Sequence, residues 1–239
     1  MKPIADALRG IGVSPTELSY VLSYPGGLVR LWADCEDPVL MMRIASVLGA
    51  DPKASVGIAI EGASAVIGYV GSHEPRPLRA LTTSKAWLHG RVTAKECESA
   101  AQCAEAVGNA YRDVKVSNKI QRRAYRAAAH ASFAAAKTAQ VSRDAALTTE
   151  LEYDTDYTFE DAWDGARVSC AIGAAQALLD AVEAAIAATS ANTTIETGTA
   201  MAGVAAADEA RPNAMAWAAG IVRSHLSADT LRLADVATT

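Results

Sequence analysis

The chain is short of aromatic residues, 5% against 51% hydrophobic overall in 239 residues, so its core has to be filled by small side chains. Cysteine is sparser still, at four residues. The four cysteines do not form a disulfide framework, and Cys97 and Cys103 on one predicted helix are separated by about 9 Å of rise, beyond bridging distance. Reduced thiols in the cytoplasm are the simplest reading. The N-terminus has no uninterrupted apolar run before Arg9, and the most hydrophobic stretch is read as Ser55 to Val70. Met1 to Arg9 carries Asp6 and is not expected to act as a signal peptide, while Ser55 to Val70 contains Glu61 and is too short to span a bilayer comfortably. No membrane segment is expected.

Nor is there an excess of positive charge. A formal charge of -5 argues against a whole-surface nucleic-acid binder and leaves only a local basic patch open. The four histidines, His73, His89, His130 and His225, have no i, i+3 or i, i+4 partner of the kind a helical metal site uses. No phosphate loop appears, and Gly71-Ser72-His73 runs into a proline turn rather than forming a nucleophile elbow. No catalytic residue, metal or cofactor is therefore assigned. Sheet is not expected either, because no segment sustains period-2 alternation of β-branched residues.

What the chain has is alanine, roughly one residue in five and about twice the usual share. Alanine is the strongest helix former, so runs such as Ala127-Ala128-Ala129 and Ala134-Ala135-Ala136 call for closely packed helices. Their starts repeat one device, a capping residue before a proline, at Ser14-Pro15, Asp37-Pro38 and Asp51-Pro52. Ser14 with Glu17 and Thr93 with Glu96 add capping-box spacing.

Helices are predicted near 3 to 10, 15 to 23, 27 to 35, 38 to 48, 52 to 70, 76 to 89, 94 to 113, 118 to 148, 158 to 189, 196 to 209, 212 to 226 and 228 to 236. The expectation is one all-α domain over 1 to 239, an alanine-rich multi-helix bundle or irregular α-solenoid, with a candidate subdomain division near 149 to 158. Gly57, Gly62 and Gly68 imply close helix packing or an interruption, and Trp87 is expected to centre the core.

Stepping residues by 100° along 118 to 148 gathers Lys119, Arg122, Arg123, Arg126, His130 and Lys137 into one basic sector opposite Ile120, Ala124, Ala128, Ala131 and Ala135. Three readings stay open: a solvated face, internal pairing with the acidic segment that follows, or a binding face for an acidic partner. That segment offers Glu150, Glu152, Asp154, Asp156, Glu160, Asp161 and Asp164. It lacks the central glycine and terminal glutamate of a calcium loop. Tyr153, Tyr157, Phe159 and Trp163 are interleaved with these acids, as in a recognition surface or a loop anchored to helices.

Arg76-Pro77-Leu78-Arg79-Ala80, the Ala86-Trp87-Leu88-His89-Gly90 helix ending, and Ala124-Tyr125-Arg126 leading to His130-Ala131 resemble the α-helical immunity proteins linked to bacterial polymorphic toxin systems. The resemblance covers residues 73 to 148 and rests on Arg76, Pro77, Trp87, Gly90 and His130. Where that family continues with further histidines, this chain has Lys137, Gln140 and Val141. The resemblance implies a cytoplasmic, non-catalytic protein that neutralises a cognate toxin. Interaction candidates are Arg76, Arg79, Lys119, Arg122, Arg123, Arg126, His130, Lys137, Asp154, Asp156, Tyr157 and Asp161. The alternatives are a small-molecule enzyme with a helical pocket lined by Trp87, His89 and His130, or a self-assembling adaptor whose alanine faces make an oligomer.

Overall fold

The computed structural model describes the backbone of residues 4–151 and 159–233, with side chains described outside 150–164. Among the described residues it is all-α, without strands. Ten helices follow in order: α1 (Ile4–Gly10), α2 (Pro15–Ser23), α3 (Gly27–Asp34), α4 (Pro38–Val47), α5 (Pro52–Val66), α6 (Arg76–Leu88), α7 (Ala94–Asp113), α8 (Lys119–Leu151), α9 (Phe159–Thr197) and α10 (Ala200–His225).

The helix starts form for the reasons visible in the sequence. Ser14 Oγ accepts from the Glu17 amide at 3.2 Å while Glu17 Oε2 accepts from the Ser14 amide at 2.8 Å, with Pro15 at the first position. Thr93 and Glu96 make the same box for α7. Asp37 and Asp51 cap α4 and α5 ahead of their prolines.

Four boundaries differ from expectation. The predicted 52 to 70 helix ends as α5 at Val66 and tightens into a 3-10 turn at Ile67–Tyr69. Helix α9 runs past 189 to Thr197, because the hydroxyls of Thr189, Thr194 and Thr197 bond back onto the carbonyls four residues earlier instead of breaking the helix. Gly198, at φ +68°, then ends it. The predicted helices at 196 to 209 and 212 to 226 are one element, α10, with Pro212 inside it. Pro212 lies on the exposed side, where water can take the carbonyl that loses its partner. Residues 228 to 232, the first part of the expected 228 to 236 helix, form a turn; Leu233 is helical, and 234 to 236 lie outside the described residues.

Helices α8 and α9 are an antiparallel pair: Arg123 meets Ser190, Val141 lies over Gly173, and Asp144 meets Ser169. Close approach is possible because the facing residues are small. A Cβ on Gly173 would come within 2.6 Å of Val141 Cγ2, and one on Gly62 within 2.7 Å of Leu178 Cδ2. Gly68, by contrast, has nothing within 4 Å and lies in the 3-10 turn, so both expectations for this glycine set are met at different positions.

Helix α9 is apolar on most sides. Its stretch Gly165–Thr197 is long and apolar enough to cross a membrane by length and composition, with 56% of its apolar window buried. It packs against α4, α5, α8 and α10 and supplies Ala174, Leu178 and Val182 to one core cluster and Ala181 and Ala184 to the next.

The larger cluster joins α1 to α5 with α9 and α10, and its buried tryptophan is Trp32, 3% exposed, whose Nε1 donates to the Leu226 carbonyl at 3.1 Å. Trp87 does not centre the core. It is half-buried and packs beside a small cluster of Val56, Ile60, Val141, Ala145 and Cys170. The spacing of Leu28, Leu31 and Trp32 turns α3 inward. The second cluster is mostly alanine, from Ala131, Ala134, Ala135 and Ala139 of α8 against Ala181 and Ala184.

Candidate functional site

The basic sector of α8 divides into an exposed part and an engaged part. Lys119, Arg122 and Arg126 are exposed at the start of the helix. Asn118 Oδ1 caps that start, accepting from the Ile120 amide at 2.8 Å, and Arg122 Nη2 donates to the Val116 carbonyl at 3.0 Å. Lys115 and Arg122, with Val114, Val116 and Ser117, line a shallow depression at the α7–α8 turn. Nearby Arg112 pairs with Asp113 at 3.5 Å and lies over the Phe133 ring at 5.7 Å.

No acidic residue occupies the first turn of α8. The helix dipole places positive potential at this end, so cations gathered here repel the dipole instead of stabilising the helix. Their arrangement raises the local positive potential of a chain that is acidic overall.

The remaining members of the sector face inward. Arg123 donates to the Ser190 carbonyl at 3.3 Å, to the Ala200 carbonyl at 3.0 Å and to Thr194 Oγ1, so one guanidinium joins α8, the end of α9 and the start of α10. Gly203 leaves the room for it, since a Cβ there would lie 2.6 Å from the Ser190 carbonyl oxygen. His130 Nδ1 lies 3.2 Å from Asp180 Oδ1, its ring edge-on to Phe133 at 6.4 Å. Lys137 Nζ donates to Gln140 Oε1 at 3.1 Å. Ala124, placed by its angle on the apolar side, is exposed. From Ala127 onward α8 packs against α5, α6, α7 and α9 and keeps a narrow, partly exposed stripe at His130, Phe133, Lys137, Gln140 and Arg143.

The other expected site residues are dispersed. Arg76 makes a two-pronged pair with Glu74, at 2.7 and 2.5 Å, which holds the Glu74 carboxyl below its ordinary range. Arg79 is exposed on α6. Asp154, Asp156 and Tyr157 lie outside the described residues, and Asp161 has only its backbone described, in α9. Trp87, His89 and His130 are not brought together: Trp87 packs beside Val141, about 16 Å along α8 from His130, and His89 is exposed at the end of α6.

Two histidine–carboxylate pairs are present, His130 with Asp180 and, at 2.9 Å, His225 with Glu61. Burial pushes the Cys97 thiol up to about 11 and Cys170 up to about 12, so neither is activated as a nucleophile. Among the described residues no three His, Cys, Asp or Glu side chains gather as a metal site.

The structure adds one feature that the sequence reading missed. Ile195, Met201 and Val204 are 61%, 85% and 53% exposed on the last turn of α9 and the first turns of α10. They belong to the same end of the bundle as the basic residues, because Arg123 grips Thr194 and Ala200, the neighbours of Ile195 and Met201 in the chain. Met201 and Val204 at i, i+3, both inside the expected 196 to 209 helix, were the available signal. Compared with family models, curated proteins and solved structures, the chain gives no significant match.

Proposed function

We propose that this chain is a non-catalytic protein-binding protein that engages an acidic face of a partner through the bundle end formed by the α7–α8 turn, the first turns of α8 and the α9–α10 turn. One observation carries the reading: Lys119, Arg122 and Arg126 stand exposed at the positive pole of α8 without an acid in its first turn. Exposed Met201 and Ile195 beside arginines also match the composition of interface centres and rims. The resemblance of residues 73 to 148 implies that the partner is a cognate toxin, neutralised by being covered. Such a protein acts in the cytoplasm, where the toxin would meet its target.

The test is recovery of the partner from the source cell by wild type and by the double variant Arg122→Glu/Arg126→Glu. Both side chains are exposed, and acids at a helix start are favoured by the dipole, so the variant is expected to keep the wild-type circular dichroism and to melt at or above the wild-type midpoint. Association with the partner should slow by about tenfold or more and lose most of its salt dependence, because exposed charges chiefly steer encounter. Recovery of the same partner at the same affinity by a folded double variant overturns the reading.

A further inference from the structure

The acidic segment cannot neutralise the basic end of its own chain. Arg122 and Leu151 are 29 positions apart on α8, about 43 Å along one helix. Leu151 and Phe159, the described residues that flank the acidic segment, both stand at the far end of the α8–α9 pair from Arg122. The two charge clusters of this chain therefore belong to opposite ends of the α8–α9 pair.

We infer that the basic, apolar end takes up residues 150–164 of a second copy, so that the chain self-associates end to end. The inference rests on the reading of that end as a binding surface and names an occupant for it. The charges are complementary: Lys115, Lys119, Arg122 and Arg126 face Glu150, Glu152, Asp154, Asp156, Glu160, Asp161 and Asp164, a stretch with no basic residue. The apolar parts are complementary as well. Tyr153, Tyr157, Phe159 and Trp163 alternate with those acids, and Ile195, Met201 and Val204 lie exposed beside the cations.

A contact between two different surfaces does not close on itself by a two-fold axis, so each added copy leaves one free end of each kind. The product is an open series whose mean mass climbs with concentration, not a fixed dimer. An acidic partner competes for the same end, so partner binding and self-association exclude one another there.

The test uses the full chain in sedimentation at low salt, with two variants that each spoil one end. The first is Arg122→Glu/Arg126→Glu, and the second is Glu152→Gln/Asp154→Asn/Asp156→Asn. Wild type is expected to grow in mass with concentration and to return to monomer at about 0.5 M salt, where the screening length is roughly 4 Å. Each variant alone is expected to stay monomeric, and their equimolar mixture to form a 1:1 dimer, because the intact segment of the first meets the intact basic end of the second. Complementation of this kind is not produced by misfolding of either variant.

A fluorescently labelled peptide of residues 150–164 provides the second measurement. It is expected to bind wild type at least tenfold more tightly than the arginine variant. A monomeric wild type, or a mixture that stays monomeric, overturns the inference. If the arginine variant still loses the cellular partner under those results, the binding reading survives without it; if it retains the partner, both fall.

Discussion

Trp32→Ala is expected to destabilise the protein by about 3–5 kcal/mol, the range for removing a large buried aromatic. Trp32 is 3% exposed, shares the larger core cluster with Leu31, Met41 and Met42, and donates its indole N–H to the Leu226 carbonyl. Removing it opens a cavity where α3 and the end of α10 meet and leaves a carbonyl without that partner. Trp87→Ala is expected to cost distinctly less, because its ring is half-buried beside a cluster of five buried residues. Chemical denaturation of both variants checks the order. Equal losses, or a larger loss for Trp87, would move the centre of the core to α6.

Gly203→Val is the second large effect. The new side chain would collide with the Ser190 backbone carbonyl, which cannot swing aside, and would displace the Arg123 guanidinium from its three acceptors. Overpacking of this kind costs up to about 3 kcal/mol. For a chain of this length the thermal midpoint moves by about 2–4 °C per kcal/mol, so a fall of several degrees is expected. Adding Arg123→Met to Gly203→Val should cost little more, since the first change already breaks the contacts the second would remove. Fully additive losses would show that Arg123 and Gly203 act independently.

The fold class and most helix starts were legible because local chemistry decides them. Ser14-Pro15, Asp37-Pro38, Asp51-Pro52 and Thr93 with Glu96 fix where helices begin whatever packs on them. Helix ends were less legible, since Thr hydroxyls that favour breaks in isolation bond back into α9, and Pro212 is tolerated on an exposed face of α10. The site was half visible. An angular projection of α8 finds its cations, but it cannot tell Arg122, which is exposed, from Arg123, the next residue, because the difference is made by Ser190, Thr194 and Ala200 on other helices. The same holds for the core tryptophan. Trp32 and Trp87 look alike in sequence, and only the meeting of α3 with α10 buries one of them.

Lysine labelling in intact source cells reads the proposed binding end of the bundle directly. Lys53, Lys95, Lys115 and Lys119 are all exposed in the free chain, so they should react at comparable rates when the purified protein is labelled at high salt. In the cell, Lys115 and Lys119 are expected to be protected several-fold relative to Lys53 and Lys95, whether a partner or a second copy covers them. Unchanged reactivity of Lys115 and Lys119 between cell and purified chain, with protection at Lys53 or Lys95 instead, would contradict the claim.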